Sequence, residues 1–260
     1  MLDHSHRLST TPVASEAVDH YPPIGMSNVN KIMWIAEQLV HQFGIPEIEI
    51  LDPLENLVLT ILSQNTNDHN RDRAFASLMG TFATFEEIRL ASLPEIAAAI
   101  QVGGLQQQKS RSIRHALETI VCENGELDLS FLNNLSLPEA LSWLTTLPGV
   151  GPKTAGIVLL FSFKRPYFPA DTHIRRIMSR MGLVSGKSDP HARLNKLLPP
   201  DVTLMQQLHL LAIRLGREVC HPRAPQCGKC VLHPRCPWAQ SHGSLSEDGV
   251  TSRIERGGNH

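Results

Sequence analysis

Apolar residues along this chain recur at intervals of three and four, the spacing that brings side chains onto one face of an α-helix. Ile32, Ile35, Leu39, Val40 and Phe43 keep that spacing after Ser27 or Asn28, either of which can cap a helix, and Gly44 and Pro46 end the run. Asp52-Pro53 opens a second helix, apolar at Leu57, Val58, Ile61 and Leu62, which breaks off at the polar patch Ser63 to Asp68. So abrupt a change places Gln64 and Asn65 at a surface, or marks nothing more than a helix end with turn-forming asparagines. A third helix is predicted from about Asp68 to Met79, stopped by Gly80. Gln106 to Asn124 reads as a long helix ended by Gly125, with Cys122 expected as a small buried residue near its end. Helices are also predicted over Pro190 to Leu198 and from Val202 to about Val219, where Leu204, Leu208, Leu211 and Leu215 share a face. No segment alternates as a strand does, so the fold class is all-α.

Two stretches begin alike. Ser92-Leu93-Pro94-Glu95 and Ser136-Leu137-Pro138-Glu139 both have the form of a capping box with proline in the first turn, and Lys109 and Lys153 follow at the same separation, each preceded by glycines. An ancient duplication and two helices that happen to start alike both account for this. In the first case Gly103-Gly104-Leu105 is a second turn that offers Leu105 to the same ligand as the first. That first turn lies in Leu147-Pro148-Gly149-Val150-Gly151-Pro152-Lys153-Thr154-Ala155, between the helix opened at Ser136 and a run from Lys153 to Phe161 apolar enough to be a buried helix. Gly149 and Gly151 let the backbone turn sharply and leave the amides of the second helix's first turn unscreened. Such a helix-hairpin-helix turn can hold a phosphate.

Composition alters this picture in three places. The 42% of hydrophobic residues with only 5% aromatic suit a core built from Leu, Ile and Ala, and no apolar run is long enough to span a bilayer. The formal net charge is -1, yet residues 148–236 hold 14 of the 24 Lys and Arg and only 4 of the 25 Asp and Glu. A basic half within a neutral chain is the footprint of a nucleic-acid face. Residues 1–23 lack the basic and apolar regions of a secretory signal, so we expect a cytoplasmic protein with a disordered leader over 1–27, an alternative start at Met26 and a disordered tail over 241–260.

Candidate chemistry concentrates at three points. Cys220, Cys227, Cys230 and Cys236 are spaced C-x6-C-x2-C-x5-C, and four thiols so close in a chain without export signals point to metal rather than disulfides. The spacing fits tetrahedral zinc and an iron-sulfur cluster equally. The intervening loops carry Arg223 and Arg235. Lys153 stands in the first turn of its helix, where the macrodipole disfavours a cation. It either balances a bound phosphate or has a lowered pKa that frees its amine as a nucleophile. Asp171, just before the helical pattern Ile174, Ile177 and Met178, is an N-cap by position or a carboxylate facing developing positive charge.

The hairpin stretch, then Ala170-Asp171-Thr172-His173, then the four cysteines in their spacing resemble the endonuclease III family of DNA glycosylases, over about Asn28 to Cys236. The resemblance implies a two-lobed fold, with residues 28–47 and 166–240 forming an iron-sulfur lobe, residues 48–165 a six-helix bundle, and DNA in the cleft between them. It implies Lys153 as nucleophile, Asp171 as catalytic carboxylate, and Cys220, Cys227, Cys230 and Cys236 as ligands of a [4Fe-4S] cluster, with zinc as the alternative. Leu147, Gly149, Val150 and Gly151 match the phosphate-binding hairpin, Arg223 a phosphate contact, and Gln64 and Leu105 the side chains that fill the gap left by a flipped-out nucleotide. The expected activity is that of a monomeric glycosylase and AP lyase on damaged double-stranded DNA, with an oxidised pyrimidine as substrate. Uracil, mismatched thymine and an oxidised purine are the alternatives. Adenine-removing relatives carry a glutamate where this chain has Thr60, which argues against adenine. A non-catalytic DNA-binding module with structural zinc is the alternative of another class.

Overall fold

A computed structural model of the chain describes residues 26–242; the leader and the tail expected to be disordered lie almost wholly outside this range. Twelve α-helices follow one another among the described residues, with no strand. They are α1 (Asn28–Phe43), α2 (Pro53–Leu62), α3 (Asp68–Thr81), α4 (Phe85–Leu90), α5 (Leu93–Ala99), α6 (Gln106–Asn124), α7 (Leu137–Thr146), α8 (Pro152–Ile157), α9 (Thr172–Arg180), α10 (Pro190–Leu197), α11 (Val202–Glu218) and α12 (Pro237–His242).

Caps set most of these starts. Asp52 accepts from the amides of Leu54 and Glu55, Asp171 from that of Ile174, and Asp201 from that of Leu204, each satisfying donors that helix geometry leaves free. Both predicted capping boxes form reciprocally, Ser92 with Glu95 and Ser136 with Glu139. Helix α3 runs past Gly80 to Thr81, because a glycine within a helix costs only about 1 kcal/mol against alanine and stops nothing by itself. The six-residue α4 was too short for its periodicity to stand out in the sequence.

Buried side chains gather into two cores. One joins Ile32, Ile35 and Leu39 of α1 to Leu160, Phe161 and the apolar faces of α9 and α11, while the other holds α2, α3, α5, α6, α7 and the start of α8. The chain passes between them within a single turn: Val158 and Leu159 belong to the second core, Leu160 and Phe161 to the first. That turn is not the continuous α-helix expected from Lys153 to Phe161. Residues Val158–Ser162 are wound as a π-helix, with the Phe163 amide reaching back to Val158 O. The widened turn lets consecutive side chains face different cores, and the buried Gln206 of α11 donates to Leu160 O at 2.9 Å. Cys122 also departs from expectation, lying exposed on α6 near its end.

Candidate active site

A cleft of about 1450 Å³ opens where the two cores meet, walled by α2 and the turn after it on one side and by α9 and α11 on the other. Its lining includes Gln64, Lys153 and Asp171, together with Thr60, Asp68, His209 and Arg217. Lys153 is half-buried, and its Nζ makes no hydrogen bond to any described residue. Burial is the largest influence on it and holds its pKa below the ordinary lysine value; Asp171 pulls the other way, and the nearby guanidiniums of Arg71 and Arg217 reinforce burial. The helix-start position chosen by Gly151 and Pro152 adds a positive dipole end to the same disadvantage for the ammonium.

Asp171 fills both roles read from its position. One carboxylate oxygen caps α9 through the Ile174 amide at 2.8 Å, and no described residue bonds to the other. The segment that delivers it is held at three successive residues. Asn195 pairs with both backbone groups of Phe168, His209 bonds to Pro169 O at 3.0 Å, and His191 accepts from the Ala170 amide at 3.2 Å. A carbonyl only accepts, so His209 Nδ1 carries the hydrogen and Nε2 is the acceptor of the neutral ring. His209 is buried between Phe161 and Phe168 and held neutral, with its pKa pushed down to about 4 chiefly by burial.

Around the hairpin, Gly149 has φ 80° and lies so close to α6 that a methyl group on it would sit 2.6 Å from Ser112 Oγ. Gly149 and Gly151 are exposed, whereas Leu147 and Val150 turn their side chains into the core and leave only backbone to a ligand. Gln64 is docked on the hairpin, its amide donating to Gly149 O at 2.6 Å. Leu105 is 46% exposed and left-handed at φ 50°, a conformation that branched apolar residues rarely adopt. Across the cleft, Arg217 of α11 grips both oxygens of Asp68 on α3. Arg223 lies exposed on the cysteine loop, away from the cleft lining.

The four cysteines line one small cavity with Arg180, Pro225 and Trp238. Among the described residues no three His, Cys, Asp or Glu side chains are grouped to hold a single metal ion; the thiols instead wall a space. Arg180, stacked 4.2 Å from the Trp238 ring centroid, donates to Cys220 Sγ at 3.0 Å and to the carbonyls of His221 and Pro222. Burial pushes the Cys230 thiol up to about 11 and raises that of Cys227 as well. Ligation by a cationic centre reverses that preference, because metal charge stabilises thiolate.

The family model described as HhH-GPD superfamily base excision DNA repair protein matches residues 58–200. The chain is 32% identical over 224 residues to the endonuclease III of Thermotoga maritima, covering 85% of this chain and 98% of that protein. The chain belongs to the endonuclease III family. Its fold agrees with a solved non-covalent endonuclease III-DNA complex at a TM-score of 0.70 and 25% identity, covering 84% of this chain and 99% of that one. A trapped covalent endonuclease III-DNA intermediate gives 0.69 at 25% identity, with 84% and 100% covered. Within this endonuclease III fold, sequence reasoning missed His191, Asn195 and His209. The available signal was a histidine and an asparagine inside otherwise apolar helix faces, where a polar group needs a buried partner. It also missed the pair Asp68 and Arg217, which are 149 residues apart.

Proposed function

We propose that this member of the endonuclease III family is a bifunctional DNA glycosylase and AP lyase that excises an oxidised pyrimidine from double-stranded DNA and works as a monomer. Lys153 carries the reading: a half-buried, unbonded amine with a lowered pKa, on the wall of a cleft that also receives the free oxygen of Asp171. The lysine lone pair attacks C1′ of the flipped-out nucleotide, the C1′–N bond breaks, and the base leaves with a proton. Asp171 stabilises positive charge at the sugar. Ring opening gives a Schiff base, loss of a C2′ proton expels the 3′ phosphate, and hydrolysis returns the lysine. A lysine nucleophile, unlike an activated water, thus predicts strand cleavage with base removal. Exposed Gly149 and Gly151 present backbone to a phosphate, Arg223 adds a charged contact, and Gln64 and Leu105 occupy the gap in the duplex.

We take the group held by Cys220, Cys227, Cys230 and Cys236 to be a [4Fe-4S] cluster, with zinc as the alternative; the four thiols that wall one cavity support a thiolate-bound metal centre. When bound, such a cluster supplies a covalent cross-link for the loop and a redox-active centre. Broad visible absorbance in anaerobically purified protein is expected, and its absence with stoichiometric zinc would overturn the cluster. Borohydride should trap wild type on abasic duplex and fail with Lys153→Gln. A panel of duplexes bearing thymine glycol, uracil, a thymine mismatch or an oxidised purine tests the substrate; inactivity on thymine glycol would remove the oxidised-pyrimidine reading.

A further inference from the structure

Lys109 follows Ser92 at the separation by which Lys153 follows Ser136, yet the two side chains have different surroundings. Lys109 is only 2% exposed, and its ammonium donates to Leu62 O at 2.7 Å and to Gly103 O at 2.8 Å. Leu62 is the last residue of α2, and Gly103 ends the 3-10 turn before α6. Both carbonyls therefore lie at helix ends, where they lack intrahelical donors and where the dipole favours a cation. An apolar side chain there would leave both carbonyls without this donor, so the buried ammonium ties the ends of the two segments to one point.

The spacing gives the ammonium a purpose. Leu62 lies two residues before Gln64, and Gly103 lies two residues before Leu105. Both following turns are left-handed at a non-glycine residue: Asn65 at φ 52°, which asparagine tolerates, and Leu105 itself at φ 50°, a strained conformation that persists only where the surroundings hold it. One turn along the same face of α6, Ser112 packs under Gly149, whose carbonyl receives Gln64. We propose that Lys109 is a positioning residue that sets the distance between Gln64 and Leu105, so that both enter the duplex together. This rests on the reading above that Gln64 and Leu105 fill the gap left by the flipped nucleotide.

A duplex must be opened by those two side chains, whereas a single strand need not be. The test is the borohydride-trapping rate on an abasic site in duplex divided by that on the same strand alone. Lys109→Met keeps the length and removes the donors; it should lower this ratio by about 10- to 100-fold, the scale on which a misplacement of about 1 Å costs rate. Adding Lys109→Met to Leu105→Ala should lower the ratio little further, since both act through one contact. Gly103→Ala attacks the clamp from its other side, placing a methyl 3.1 Å from Ala74 Cβ and 3.9 Å from Lys109 Nζ, and should lower the ratio in the same direction. A duplex carrying 2-aminopurine beside an abasic analogue should brighten less with either variant than with wild type. Equal losses on duplex and single strand, or an unchanged ratio, overturn the proposal; if Lys109→Met does not fold, Gly103→Ala decides alone by the same criterion. If Gln64→Ala and Leu105→Ala leave the ratio unchanged, the insertion reading fails and the role of Lys109 falls with it. If they lower it and both Lys109→Met and Gly103→Ala do not, only Lys109 fails.

Discussion

At the scale of single residues, Lys153 and His209 respond alike to the same dry surroundings, each giving up its proton more readily than in water. Lys153 loses its proton more readily than a lysine in water, so the folded state binds fewer protons there than the unfolded chain and is destabilised wherever the amine is still charged. Replacing it with methionine removes that cost while keeping the methylenes packed. We expect Lys153→Met to lose borohydride trapping completely and to raise Tm. A lowered Tm in a thermal scan would contradict the burial penalty. His209 is depressed to about 4 from 6.5, again chiefly by burial. Its contribution is complete above pH 6.5 and is lost as pH falls through about 4, where the unfolded imidazole already holds a proton. The slope of unfolding free energy against pH between 6.5 and 4 should therefore be shallower in His209→Gln than in wild type. Because His209 also ties Pro169 O beside Asp171, the same variant should lower kcat more than it raises KM. Identical slopes in urea titrations at several pH values would remove the histidine from this account.

At the scale of elements, what was legible in the sequence was whatever is decided locally. Asp52, Asp171, Ser92 and Ser136 announced four helix starts because a cap acts within three residues. Leu147 and Val150 show the limit: their place in the hairpin stretch was readable, but the inward direction of both side chains depends on α6 and the rest of that core arriving from elsewhere in the chain. The π turn was invisible for the same reason, since Val158 to Phe161 is apolar throughout and only two facing cores make consecutive residues diverge. The hairpin is where local and distant demands meet, and Gly149 answers both. Alanine there must adopt φ 80° and must also press on Ser112. The left-handed backbone alone costs about 1–2 kcal/mol, and the contact adds to it. Gly149→Ala should thus lower Tm and weaken duplex binding, with Ser112→Gly restoring part of the stability but not the backbone component. Complete restoration by Ser112→Gly would show that crowding, not φ, was the whole effect.

At the scale of the whole molecule, the uneven charge along the chain becomes a balance struck across the cleft. The basic residues after Pro148 supply Arg217, and the acidic half supplies Asp68, which accepts from Arg217 at 3.0 Å and lies 3.3 Å from Arg71. In the free protein this carboxylate occupies two cations that a DNA backbone would otherwise attract, and it also raises the pKa of Lys153. The exposed pair itself adds at most about 1 kcal/mol to stability, so its consequence is electrostatic. Asp68→Asn should leave Tm within a few degrees of wild type and tighten binding to undamaged duplex. The plot of log affinity against log salt should steepen by about one, the increment for one further phosphate neutralised. The sign on catalysis follows from the same carboxylate: without it the Lys153 amine deprotonates at lower pH, and the acid limb of kcat/KM for the abasic substrate moves to lower pH. Fluorescence anisotropy across a salt series and a pH-rate profile measure the two effects separately. A steeper salt slope with an unmoved acid limb would mean that Asp68 governs phosphate contact alone; an unchanged salt slope would mean that Arg217 never reaches the DNA.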